Sequence, residues 1–117
     1  MGFFSLFKRH KLHDVVTYDD IAVTRTRPDG IIETILWEDL HEVGILTTDE
    51  GPLQEDVFYL LLSKDGSNGC VIPQLSEGSD KLLERLQMLP EFDNETLIKA
   101  MGSTENARFV CWQRESA

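Results

Sequence analysis

Three groups of side chains place chemistry-capable atoms at short spacing. His10-x-x-His13-Asp14 offers two imidazoles and a carboxylate, ligand types that suit a metal ion. Lys8, Arg9 and Lys11 surround that trio, and their charge opposes a dication. The stretch therefore reads as a solvated basic tail, and no metal is expected. His41 stands among Glu38, Asp39 and Glu42. An imidazole beside carboxylates can act as an acid or base, but only in a cleft that holds a substrate. No motif in the chain marks such a cleft. Asp49, Glu50, Glu55 and Asp56 flank a loop containing Gly51-Pro52. Calcium needs about six to eight oxygen ligands, and the spacing of an EF-hand loop is missing. A glycosidase pair needs two carboxylates in defined environments, which this loop does not announce. No GxxxxGK[ST] or GxGxxG phosphate loop and no GxSxG elbow occurs. The expectation is a protein that is not an enzyme and uses no cofactor.

What the sequence does carry is charge of one sign. Between Arg27 and Lys64 stand nine acids (Asp29, Glu33, Glu38, Asp39, Glu42, Asp49, Glu50, Glu55 and Asp56) with no lysine or arginine. Such a segment repels nucleic acid and anionic lipid and attracts basic partners. It also reads, more plainly, as a solvated surface that keeps a small protein soluble. The formal net charge is −10 over 117 residues. Lys8, Arg9 and Lys11 give residues 1–13 three cations and no acid, which leaves eight cations and twenty-one acids for residues 14–117. Phosphate contacts need clustered cations, so nucleic-acid binding by this body is not expected. Trp37 precedes Glu38-Asp39 directly and is the candidate exposed anchor, because an aromatic ringed by acids suits a basic partner. Trp112 lies in an apolar run and reads as core.

These groups must be positioned by a mostly β framework. Val15 to Tyr18 and the β-branched run Ile21 to Thr26 read as strands. Arg27-Pro28-Asp29-Gly30 is a tight turn, and Ile31 to Trp37 returns antiparallel, so 21–37 is a hairpin. Glu38 to His41 is a polar connection, and Val43 to Thr48 is the next strand. Val57 to Leu62 is unbroken apolar and fits a central buried strand. Lys64 to Gly69 is a turn, and Cys70 to Ile72 is a strand that Pro73 stops or places at an edge. Ser79 is the expected N-cap of a helix over 80–89 with Leu82, Leu83, Leu86 and Leu89 on its apolar face. Asp93 caps a second helix, with Leu97, Ile98 and Met101 inward and Gly102 at its end. Ala107 to Gln113 alternates as a last strand sheltered on both sides, with Phe109 and Cys111 on one face and Val110 and Trp112 on the other.

The order predicts an α+β fold. It is an antiparallel five- to six-stranded meander, two consecutive helices covering one face, then a final strand. A curled version would be a variant of the pleckstrin-homology-like barrel, from which the final strand departs. Residues 14–117 form one domain. Residues 1–13 form a separate basic, aromatic segment (Phe3, Phe4, Leu6, Phe7, Leu12) that either packs on the domain or lies on a membrane surface, with packing favoured. Cys70 and Cys111 form no metal-ligand spacing and read as reduced core residues that could be strand neighbours. No run is long enough to span a membrane. The apolar start GFFSLF is too short for a signal-peptide core and precedes its charges, so no signal peptide is expected, and a cytoplasmic location is expected.

The runs Trp37 to Pro52 (WEDLHEVGILTTDEGP), Asp56 to Leu62 (DVFYLLL), Leu86 to Glu95 (LQMLPEFDNE), Ala100 to Thr104 (AMGST) and Phe109 to Trp112 (FVCW) resemble a set of small uncharacterised bacterial proteins. Some of those act as immunity proteins of polymorphic or contact-dependent toxin systems. The resemblance covers most of residues 20–112 and carries no catalytic motif. It implies a binding role against a cognate toxin domain, basic if that domain is a nuclease. The partner-binding residues expected from charge are Trp37, Glu38, Asp39, Glu42, Asp49, Glu50, Glu55 and Asp56. The alternative is a housekeeping adaptor or a peripheral membrane-associated binding domain. The two acidic loops follow successive strands, so they are expected at opposite ends of the meander.

Overall fold

The computed structural model describes residues 13–49 and 56–115. Over these residues the fold is α+β, with two antiparallel sheets and two α-helices. Strands β1 (Val15–Tyr18), β2 (Ala22–Thr26) and β3 (Ile32–Leu36) form the first sheet in the order β1-β2-β3. Strands β4 (Leu40–Thr47), β5 (Val57–Ser63), β6 (Gly69–Pro73) and β7 (Ala107–Gln113) form the second in the order β6-β5-β4-β7. The helices α1 (Ser79–Leu86) and α2 (Asn94–Met101) lie between β6 and β7 in the chain.

The hairpin forms as its turn residues dictate. Gly30 takes φ 90° and its N–H closes the turn onto the Arg27 carbonyl, while Asp29 accepts from the Ile31 N–H. That fixes Ala22 opposite Leu36 and Thr26 opposite Ile32. The meander does not continue into β4. A 3₁₀ turn, Trp37–Asp39, intervenes, and β4 starts at Leu40 rather than Val43 because Leu40 is core. The expected single meander is therefore split into two groups of three, β1 to β3 and β4 to β6, and the final strand β7 joins the second group beside β4. β5 is central, as its apolar run predicts, and β6 with Pro73 is an edge.

One core joins the layers. Val16, Val23 and Ile35 from the first sheet meet Val43, Ile45, Tyr59, Leu61 and Ile72 from the second. The helices do not share one sheet face: α1 packs by β1, while α2 packs on β7 and β4. Leu82, Leu86, Leu97 and Ala100 are their buried contributions. Ile98 faces out at 72% exposure, because Leu97, Ala100 and Met101 make the inward stripe without it.

Three local expectations change. Ser79 is the first residue of α1, not its cap. It is buried and its hydroxyl donates to the Gln74 carbonyl, and Gly78 (φ 88°) takes the cap position. A side chain at Gly78 would meet the Val16 carbonyl at 2.3 Å, where the chain crosses β1. α1 ends at Leu86, short of Leu89. β7 loses strict alternation at a bulge opposite Val43 and Gly44, so Cys111 and Trp112 are both buried while Val110 stands out at 41%. Asp93 does cap α2, accepting from the Thr96 N–H at 3.0 Å.

Cys70 on β6 and Cys111 on β7 sit on opposite edges of the four-stranded sheet, so they are not neighbours. Both are free and buried, and burial pushes each thiol up to about 11. No helix among the described residues is long and apolar enough to cross a membrane. Residues 1–12, and so His10 and the aromatic segment, lie outside the described residues. His13 Nε2 lies 3.1 Å from the Glu77 carboxylate.

Candidate functional site

The acidic run divides into three fates. Asp29, Glu33 and Glu42 turn to cations of the chain itself: Asp29 to Arg27 at 3.2 Å, Glu33 to Arg25 at 3.3 Å, and Glu42 to Arg108. Glu42 also accepts from Gln113 at 3.1 Å, and its side chain is only 16% exposed. Burial pushes the Glu42 carboxyl up, but the hydrogen bonds from Gln113 and Arg108 outweigh it and hold the group below its ordinary value. Glu42 is thus part of the β4–β7 seam and not a free contact.

Asp49 and Asp56 stand at the end of β4 where the chain passes toward β5, with the Thr48 N–H bonded to the Asp56 carbonyl. Glu50 and Glu55 lie outside the described residues. Glu38 and Asp39 stand at the other end of β4. Eight strand residues at roughly 3.3 Å each separate the two groups by ~25 Å. The expected partner-binding residues therefore do not converge on one patch.

The Trp37–Asp39 end is the more elaborately built. Trp37 is half-buried and pinned from four sides, so it is a framework residue and not the exposed anchor its sequence position suggests. Its N–H donates to the Ile21 carbonyl at 2.9 Å, and its Nε1 donates to the Asp19 carbonyl at 2.7 Å. Tyr18 meets the indole edge-on with centroids 6.3 Å apart, and the Arg85 guanidinium lies 4.5 Å over the ring. The Trp37 carbonyl accepts from Arg114 Nη2, and the Leu40 carbonyl accepts from Arg114 Nε, both at 2.9 Å. Arg114 thus brackets Glu38 and Asp39 from behind.

This pinning brings in residues that charge counting alone passed over. The β1–β2 turn rests on the 3₁₀ turn, so Asp19 and Asp20 join Glu38 and Asp39 at one end of the molecule. The Asp19 carboxylate accepts from the N–H groups of Ala22 and Ile21, which hold it below the usual carboxylate range. Asp20, Glu38 and Asp39 are exposed and form no ion pair among the described residues. Ile21, 68% exposed, and Tyr18, 40% exposed, place apolar surface beside them. The signal was in the hairpin register: a turn at 27–30 sets Ile21 opposite Trp37.

A cleft of about 780 Å³ opens behind Glu38 and Asp39, lined also by His41, Lys64, Asp65 and Glu115. Asp65 accepts from Ser63 Oγ, Ser67 Oγ and Ser67 N–H, and the Ser67 bonds most strongly lower its carboxyl. A second cleft of about 600 Å³, bordered by Glu91 and Trp112, shares Arg114 and Glu115 with the first. Among the described residues no group of three or more His, Cys, Asp or Glu could hold a metal ion. The arrangement places exposed carboxylates beside apolar side chains on a held backbone, chemistry that suits a cationic surface. Compared with protein-family models, curated proteins and solved structures, the chain shows no match.

Proposed function

We propose that this chain is an acidic, cytoplasmic binding protein that docks on the basic surface of a protein partner through its Asp19–Ile21 and Trp37–Asp39 end. The observation that carries the reading is the pairing pattern of the carboxylates. Among the described residues Asp20, Glu38 and Asp39 form no ion pair, and they sit beside exposed Ile21 and Tyr18. Their backbone is held by Arg114 and by the Trp37 bonds to β1–β2, which lowers the ordering cost of binding. Unpaired carboxylates steer a basic partner and raise its on-rate. On the resemblance of the sequence to immunity proteins, the partner is a toxin domain, and the chain neutralises it by covering its basic active face. A nuclease must be basic there to hold phosphate. Two free, buried cysteines suit a reducing compartment.

The test is capture of partners from native lysate by the tagged chain and by two charge-reversed variants. Glu38→Lys/Asp39→Lys alters the proposed end, and Asp49→Lys/Asp56→Lys alters the far end. One basic protein retained by the parent and the far-end variant, but lost by the 38/39 variant, supports the reading. That protein must also arrest growth when expressed alone and not when co-expressed with this chain. Equal loss from both variants, or a partner without a basic surface, overturns it.

A further inference from the structure

The β5–β6 hairpin ends in a dipeptide whose chemistry the fold leaves exposed. Ser63 N–H donates to the Asn68 carbonyl, and Gln74 N–H donates to the Val57 carbonyl. In an antiparallel ladder, bonded pairs alternate with unbonded ones. The register from Phe58↔Pro73 to Leu62↔Gly69 therefore makes Gly69 and Val71 outward-facing residues of β6. The Val71 carbonyl confirms the phase, since it accepts from Arg25 Nη1 on that outer edge. The Gly69 N–H points the same way and has no acceptor among the described residues. Position 69 also admits no side chain, because a Cβ there would sit 2.2 Å from the Leu61 carbonyl oxygen. The fold thus imposes on Asn68 the least hindered of all following residues. The Asn68 side chain is exposed, lines the acidic cleft and makes no hydrogen bond among the described residues. The Asp65 carboxylate ties down Ser63 and Ser67 but not the Asn68 carboxamide.

We propose that Asn68 is a site of spontaneous deamidation, with the Gly69 backbone nitrogen as nucleophile. Solvent base takes the Gly69 N–H proton, and the nitrogen attacks Cγ of Asn68. A five-membered succinimide closes, the Cγ–Nδ2 bond breaks, and the leaving nitrogen takes up a proton and departs as ammonia. Water then opens the ring at either carbonyl and leaves an aspartyl or isoaspartyl residue at 68. The change adds one negative charge to a chain at −10, and it does so inside the cleft beside Asp65. The isoaspartyl form also lengthens the backbone by one carbon where Asn68 bonds Ser63.

The experiment incubates the full-length folded chain in mildly alkaline buffer made with ¹⁸O-water, digests it with trypsin and follows masses over days. The peptide cut after Lys64 and Lys81 holds Asn68. It is expected to gain the mass of an amide-to-acid exchange plus one ¹⁸O, faster at higher pH and ahead of the peptides holding Asn94 and Asn106. Asn68→Gln abolishes the gain. A synthetic peptide of residues 65–81 serves as the unfolded control. If that peptide deamidates while the folded chain does not, or if Asn68 lags Asn94 or Asn106, the proposal fails.

Discussion

Replacing Arg25 with methionine removes a side chain that ties β2, β3 and the residue before β1 to the edge of the second sheet. Arg25 Nε bonds Asp14 at 2.9 Å, Nη1 reaches Glu33 at 3.3 Å, and Nη1 donates to the Val71 carbonyl at 2.6 Å. Arg25 and Asp14 are each 15% exposed, and Glu33 26%. Burial pushes the guanidinium down, but the Asp14 and Glu33 charges prevail and raise it above its ordinary value, so it is always cationic. Breaking a fully buried pair costs about 3–5 kcal/mol, because a charge is left stranded. Here the loss is smaller, since Glu33 keeps Arg27 at 3.9 Å and water reaches the Val71 carbonyl. Asp14 keeps no cation among the described residues. One charge-assisted hydrogen bond and one weaker pair give a net loss of about 2–3 kcal/mol. For a domain of this size that lowers the melting temperature by roughly 10 °C. Urea unfolding followed by circular dichroism reads the difference. Adding Asp14→Asn to Arg25→Met should recover about 1 kcal/mol, the part of the cost that the stranded carboxylate causes. A single variant within ~0.5 kcal/mol of the parent would place this cluster among ordinary surface pairs and refute the reasoning. So would a double variant that recovers nothing.

Other perturbations separate packing from charge. Gly78→Ala should destabilise by well over 1 kcal/mol, since it combines left-handed backbone with a 2.3 Å clash on Val16, whereas Gly30→Ala, with open space around it, should cost about 1 kcal/mol. Unfolding midpoints of the two variants compare them directly. Cys70 and Cys111, buried and with thiols raised to about 11, should resist a disulfide reagent in the native chain and react only as fast as the chain opens. Early labelling would show that β6 or β7 frays. Glu42 is held below its ordinary value when folded, so its pairing stabilises at neutral pH and the benefit disappears as pH falls through the folded value. The stability gap between the parent and Glu42→Gln should therefore close in acid, and a gap that stays constant would count against the Arg108 and Gln113 contacts.

The sequence made some of this legible because local chemistry decided it. The Arg27–Gly30 turn needs a proline, an Asx acceptor and a left-handed glycine, and it fixes the hairpin register without help from the rest of the fold. Asp93 caps α2 for the same reason. The misread positions were decided by distant residues. Ser79 looks like a cap, but the approach of Val16 demands glycine just before it and turns the serine hydroxyl onto Gln74. Trp37 looks exposed beside two acids, but Asp19, Arg85 and Arg114 reach it from three other parts of the chain. The β7 bulge has no signature in Phe-Val-Cys-Trp, since either phase buries an aromatic residue.

Charge counting fails for a related reason. A run of carboxylates is visible in the sequence, but which of them still act on a partner depends on cations far away in the chain. Arg25 and Arg108 lie outside the acidic run and neutralise Glu33 and Glu42 through strand pairing, whereas Arg27 at the edge of the run meets Asp29 within the turn. The eight-residue β4 then carries Glu38 and Asp39 away from Asp49 and Asp56 by more than two Debye lengths at physiological salt, about 8 Å each. Across water the two ends act as separate fields. A partner steered by one gains little from the other, so each end has its own salt dependence. Reversing charge at 38 and 39 should flatten the salt dependence of binding, and reversing it at 49 and 56 should leave the slope unchanged. Equal flattening would mean that the partner spans the whole length of β4.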